Sequence, residues 1–203
     1  MSTQITFIRF NSENARLNFT FLHPQDWQVL QSRGAKTNYD EVMIVGPRNR
    51  QNTYNLALAV RVTPLIQQDG LFPTLDVLVT DYLARHRYPF REISRAKGSL
   101  AGCNAVEIEI GYTMPLPINS ANSQETPMIE HRVFLQKDGN LYELIFRAVE
   151  EDYFKCLDAF WNAARTFEFR AETETQFHHQ AVIPTPAPAH AFAEKREEYE
   201  AKK

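Results

Sequence analysis

Residues 17–30 read LNFTFLHPQDWQVL. Leu17, Phe19 and Phe21 alternate with Asn18, Thr20 and Leu22, the period-two pattern of a strand with one buried face. Pro24 cannot donate to a ladder, so it stops the strand, and Trp27 beyond the turn gives the core a large apolar anchor. On the N-terminal side, Ile5–Phe10 forms a second short strand across the turn Asn11-Ser12-Glu13-Asn14.

On the C-terminal side the pattern continues. Val42–Val45 is a short strand ended by Gly46-Pro47. In 54–62, Tyr54, Leu56, Leu58, Val60 and Val62 take one face, and Asn55, Ala57, Ala59 and Arg61 the other. The small alanines leave room for something close over that second face. Residues 74–86 predict a helix: Thr74 caps it, Asp76 suits its positive end, and Leu75, Leu78, Val79, Tyr82 and Leu83 form the apolar stripe. Phe90–Leu100 turns through Ala101-Gly102-Cys103-Asn104 into Ala105–Thr113, with Val106, Ile108, Ile110 and Tyr112 inward.

Ile129–Lys137 and Asn140–Val149 flank Asp138-Gly139, a type I′ hairpin signal. That turn sets Val133 opposite Leu144, His131 opposite Phe146 and Glu130 opposite Arg147. A second helix is predicted over about Asp152–Arg165, capped by Asp152 and striped by Tyr153, Leu157, Phe160, Trp161 and Ala164. Thr166–Phe169 adds a last strand. Pro115–Met128, rich in Pro, Asn and Ser, reads as a long loop, and such loops are commonly functional.

The chain has 203 residues, 43% of them hydrophobic and 12% aromatic, enough for one domain with a packed core. We divide it into a domain over 1–170 and a tail over 171–203, Pro/Ala-rich and then charged. A net charge of -3 gives no general field for nucleic acid. The N-terminus has no signal-peptide pattern, and no window reaches the roughly 18 apolar residues of a membrane span. A cytoplasmic protein with Cys103 and Cys156 as free thiols is expected.

In order and spacing, these elements resemble the PsbP-like superfamily. The marks are Phe-x-Phe before Pro-x-x-Trp (Phe19, Phe21, Pro24, Trp27), Leu-x-Gly before a strand (Leu100, Gly102), and a closing Phe-x-Phe (Phe167, Phe169). The resemblance covers roughly residues 5–170. It implies an α+β fold: an antiparallel β-sheet flanked by helices, an α/β/α sandwich. It also implies a bacterial protein that docks to other macromolecules, as an adaptor or chaperone-like module, and it transfers no catalytic set.

Chemistry-bearing motifs are scarce. There is no Gly-rich phosphate loop, Gly-x-Ser-x-Gly, Cys-x-x-Cys or His-x-x-x-His. No residue is put forward as catalytic, cofactor-binding or metal-ligating. Adjacent His178 and His179 chelate poorly in an extended segment, and His23 is expected to shape its turn. Glu107 and Glu109 share a strand face and are expected to meet cations in a solvated ladder, as Glu130 is with Arg147 and Arg132. Arg85, His86 and Arg87 suit the end of the first helix.

The leading expectation is a non-enzymatic domain that binds another protein, with the tail as a tether. The candidate partner surface is the mixed sheet face of Arg61, Arg132, Phe134, Glu143, Ile145 and Arg147, unless the second helix or the tail (Phe177, Val182, Ile183, Phe192) covers it. The alternative is a small-ligand pocket between the sheet and the first helix, near Trp27, Tyr82 and Tyr112, with His131 as a further candidate.

Overall fold

A computed structural model describes residues 5–12, 14–32 and 38–170. The elements in chain order are β1 (Phe7–Phe10), β2 (Phe19–Pro24), β3 (Gln28–Ser32), β4 (Asp40–Arg48), β5 (Asn55–Pro64), α1 (Leu75–Ala84), β6 (Phe90–Leu100), β7 (Cys103–Leu116), β8 (Gln124–Lys137), β9 (Asn140–Val149), α2 (Glu150–Arg165) and β10 (Glu168–Phe169). The tail with its two histidines and four apolar residues lies outside the described residues, as does Glu13 in the first turn.

Seven strands form one antiparallel sheet in the order β3-β4-β5-β9-β8-β7-β6. β1, β2 and β10 form a small second sheet. The alternation predicted for β5, β7 and β9 separates two cores. Leu58, Val60, Leu144 and Phe146 pack with Phe19, Phe21, Tyr153 and Phe160, which joins the large sheet to β2 and α2. Val106, Ile108, Ile110 and Phe134 pack with Val79 of α1. The two helices therefore belong to different cores.

The Asp138-Gly139 turn takes positive φ at both residues, 49° and 72°, as a type I′ turn requires. The β8–β9 register that follows matches the expected pairs: Val133 with Leu144, His131 with Phe146 and Glu130 with Arg147.

Several boundaries differ from expectation. β3 pairs with β4 from Gln28 to Ser32, yet all its residues are exposed, so no alternation marks it. β4 continues through Gly46-Pro47 with a break in register between Val45 and Arg48. α2 begins at Glu150 on Val149, which offers no side-chain cap, so Asp152 is a first-turn residue and not the cap. Pro115–Met128 is mostly strand: β7 and β8 stay paired out to Leu116 and Gln124. After Tyr112, β7 has no further pairing with β6, and before Met128, β8 has none with β9. The extension is a two-stranded ribbon whose strands are both edges, where proline is tolerated.

Candidate functional site

The mixed sheet face holds a closed charge network. Glu130 and Arg147 face each other across β8 and β9, and Arg132 is two residues from Glu130 on the same face. Arg132 donates to Glu130 Oε1 through Nε (2.9 Å), with Nη2 in ion-pair contact with the same oxygen (2.8 Å), and donates to Glu143 Oε1 through Nη1 (2.5 Å). Arg147 donates to Glu130 Oε2 through Nε (2.8 Å) and Nη2 (2.5 Å). From α1, the Tyr82 hydroxyl donates to Glu130, and the Tyr82 ring lies 4.0 Å from the Arg132 guanidinium. Two carboxylates meet two guanidiniums, so the buried charge is balanced.

The network fixes protonation far from neutrality. Burial alone would raise the Glu130 pKa, but Arg132 and Arg147 outweigh it and hold it down at about 2. Burial pushes the Tyr54, Tyr82 and Tyr112 phenols up. Chemically, the cluster ties β8, β9 and α1 together, with Glu130 ionised, Arg132 and Arg147 charged and Tyr82 neutral at neutral pH.

This geometry corrects the expected partner surface. Arg132, Phe134, Glu143 and Ile145 are all buried. Arg147 keeps 39% of its side chain exposed, and Arg61 is half-buried against Glu41 (3.1 Å) and the Tyr39 ring. The cover over Phe134 and Arg132 is α1, not the second helix, because Tyr82 projects from α1 onto both.

The expected pocket residues do not converge. Tyr82 and Tyr112 pack on the α1 side. Trp27 packs into the other core, over Gly46. His131 lies under α2, its Nδ1 hydrogen bonded to the Tyr153 hydroxyl (2.9 Å), its Nε2 3.0 Å from Glu107, and its ring against Phe160 and Trp161. Glu107 and Glu109 are buried as well, so the expected solvated ladder is a buried polar row. His23 is buried, with Nδ1 2.9 Å from the Pro24 carbonyl oxygen.

The open features lie elsewhere. A cleft of about 600 Å³ is bounded by Gln51 and Thr53 of the β4–β5 connection, Gln124 of the ribbon and Pro117 just past its end, and Glu150 and Glu151 of α2. At another position, the β5–α1 loop exposes Ile66 (83%), Leu71 (74%) and Phe72, and Val77 of α1 is also exposed. The loop is tied at both ends to the β8–β9 hairpin. The Leu65 amide donates to Gly139 O (2.8 Å), and Gln136 Nε2 donates to Pro73 O (2.6 Å). Gln68 and Leu71 exchange backbone hydrogen bonds of 2.8 and 3.0 Å. Sequence reasoning missed these residues because LIQQDGLFPT has neither helical nor strand period. The available signal was four large apolar side chains, Leu65, Ile66, Leu71 and Phe72, beside a Gln-Asp-Gly turn.

Among the described residues, no group of three or more His, Cys, Asp or Glu is placed to hold a metal ion. No described helix is long and apolar enough to cross a membrane.

No protein-family model matches the chain, and no curated protein matches its sequence. Solved structures do. A Pseudomonas aeruginosa protein of unknown function, PA94, is 15% identical with a TM-score of 0.50, covering 79% of this chain and 95% of its own. The cyanobacterial PsbP of Synechocystis is 15% identical with a TM-score of 0.49, covering 83% and 95%. A Bacteroides thetaiotaomicron protein is 12% identical with a TM-score of 0.49, covering 85% of this chain and 51% of its own. The likeness to PA94 concerns the fold described above, a largely antiparallel sheet with two helices. At these identities the likeness speaks to fold alone.

Proposed function

We propose that the chain is a non-enzymatic interaction domain that docks to another protein through its β5–α1 loop. The observation that carries this is the exposure of Ile66 and Leu71 on a loop hydrogen bonded at both ends. Clustered exposed apolar side chains mark interaction sites, and a loop already restrained loses less freedom on binding. We read the architecture as an α/β/α sandwich with one helix per face and the role as that of a cytoplasmic adaptor or chaperone-like binder. The inert charge state of the sheet-face network supports a structural part for those residues. The test is paired capture by the full chain and its Ile66→Ser/Leu71→Ser variant, followed by binary affinity with the partner retained.

The cleft of about 600 Å³ favours a second reading, a small-ligand protein, because its size falls in the range of ligand sites. Native mass spectrometry of the protein from its own source tests it: a co-purified small molecule supports that reading.

A further inference from the structure

β10 delivers the chain to the same hairpin that holds the β5–α1 loop. The Phe169 ring meets Tyr142 edge-on, 5.0 Å between centroids, and the Lys137 ammonium lies 5.2 Å over it. Lys137 ends β8, and two residues further Gly139 accepts the Leu65 amide. The Phe72 ring lies 3.2 Å from where a Cβ at Gly139 would stand. One hairpin therefore separates the end of β10 from the loop. Arg170 fixes the point of departure: its amide donates to Asn18 O (3.2 Å) and its guanidinium to Ser12 O (2.7 Å) and Leu17 O (2.8 Å).

Residues 171–203 continue from that point. Phe177 is seven residues past Arg170, a reach of up to about 25 Å. Crossing one layer of strands takes about 10 Å. The stretch 175–193, TQFHHQAVIPTPAPAHAFA, has no Asp, Glu, Lys or Arg and carries Phe177, Val182, Ile183 and Phe192. No large apolar side chain among the described residues is more exposed than Ile66 and Leu71. An uncharged apolar segment thus begins within reach of the most exposed apolar side chains of the domain.

We propose that residues 177–192 fold back over the β5–α1 loop, so that the chain's own tail covers Ile66 and Leu71 and a partner has to displace it. The proposal rests on the reading of that loop as a docking site and gives the site an internal competitor. Tethering selects this occupant. A segment on the same chain is present at an effective concentration in the millimolar range, which a free partner or a second copy at micromolar concentration does not reach. The closed form exchanges with an open one, and the partner binds the open form.

The test places the photo-cross-linker p-benzoylphenylalanine at Gln67, an exposed residue beside Ile66, in the full chain. Isotope-labelled and unlabelled chains are mixed in equal amounts at micromolar concentration and irradiated, and the cross-linked peptides are mapped by mass spectrometry. The expected result is cross-links from residue 67 to 177–192 within chains of one label. Their yield should fall about fivefold or more in Phe177→Ser/Val182→Ser/Ile183→Ser, with circular dichroism unchanged. Cross-links that miss 177–192, cross-links only between differently labelled chains, no cross-links, or a yield that the triple variant leaves unchanged overturns the proposal. The readout needs no partner, so a loop that captures no protein and a tail that never covers the loop give separate results.

Discussion

Trp27 lies so close over Gly46 that a methyl group at residue 46 would stand 2.9 Å from Cε2 of the indole. Gly46→Ala therefore forces the indole or β4 aside, at a cost of roughly 1–3 kcal/mol. Urea unfolding measures this. In a Trp27→Ala background the same substitution is expected to cost well under half as much, because its obstacle is gone.

Arg132 serves two buried carboxylates at once. Arg132→Met takes from Glu143 its bond to that guanidinium and leaves Glu130 with Arg147 as its remaining cation. The expected loss is about 3–5 kcal/mol, the range for breaking a buried ion pair from one side. Adding Glu143→Gln to that variant should recover part of the loss, read as a rise in the urea midpoint at unchanged slope.

The same network sets an acid limit. Glu130 has its pKa depressed from 4.5 to about 2 in the folded chain. Its ionised form is favoured by folding, so its contribution is complete above about pH 5 and is lost as pH falls toward 2. The group accounts for on the order of 3 kcal/mol over that window. Stability of the wild type should therefore fall more steeply between pH 5 and about 2 than that of Glu130→Gln.

Beneath α2, Tyr153→Phe removes the hydroxyl 2.9 Å from His131 Nδ1 and leaves a buried ring nitrogen without that partner. A loss of about 1–3 kcal/mol is expected. A double-mutant cycle with His131→Phe should show coupling of at least about 0.5 kcal/mol, because either substitution removes the same bond.

Much of the sheet was legible in residues because its turns are chemically explicit. Asp138-Gly139 specified a register, and that register brought Glu130 to Arg147. Thr74 and the Leu75–Leu83 stripe located α1. What escaped was structure without period. β3 is exposed along its length, so burial imposes no alternation on its composition. The ribbon ending at Leu116 and Gln124 was hidden by Pro115 and Pro127, which only an unpartnered strand edge admits. The burial of Arg132 and Glu143 was also hidden, since charged residues on a sheet face look solvated until Tyr82 arrives from α1.

The docking role of the β5–α1 loop is tested most directly by the affinity of the captured partner for the wild type and for Ile66→Ser/Leu71→Ser. Both side chains are largely exposed, so the thermal midpoint should hardly move. Removing two apolar anchors should weaken binding by roughly tenfold or more. Equal affinity for the two proteins, at equal thermal midpoints, would contradict the account.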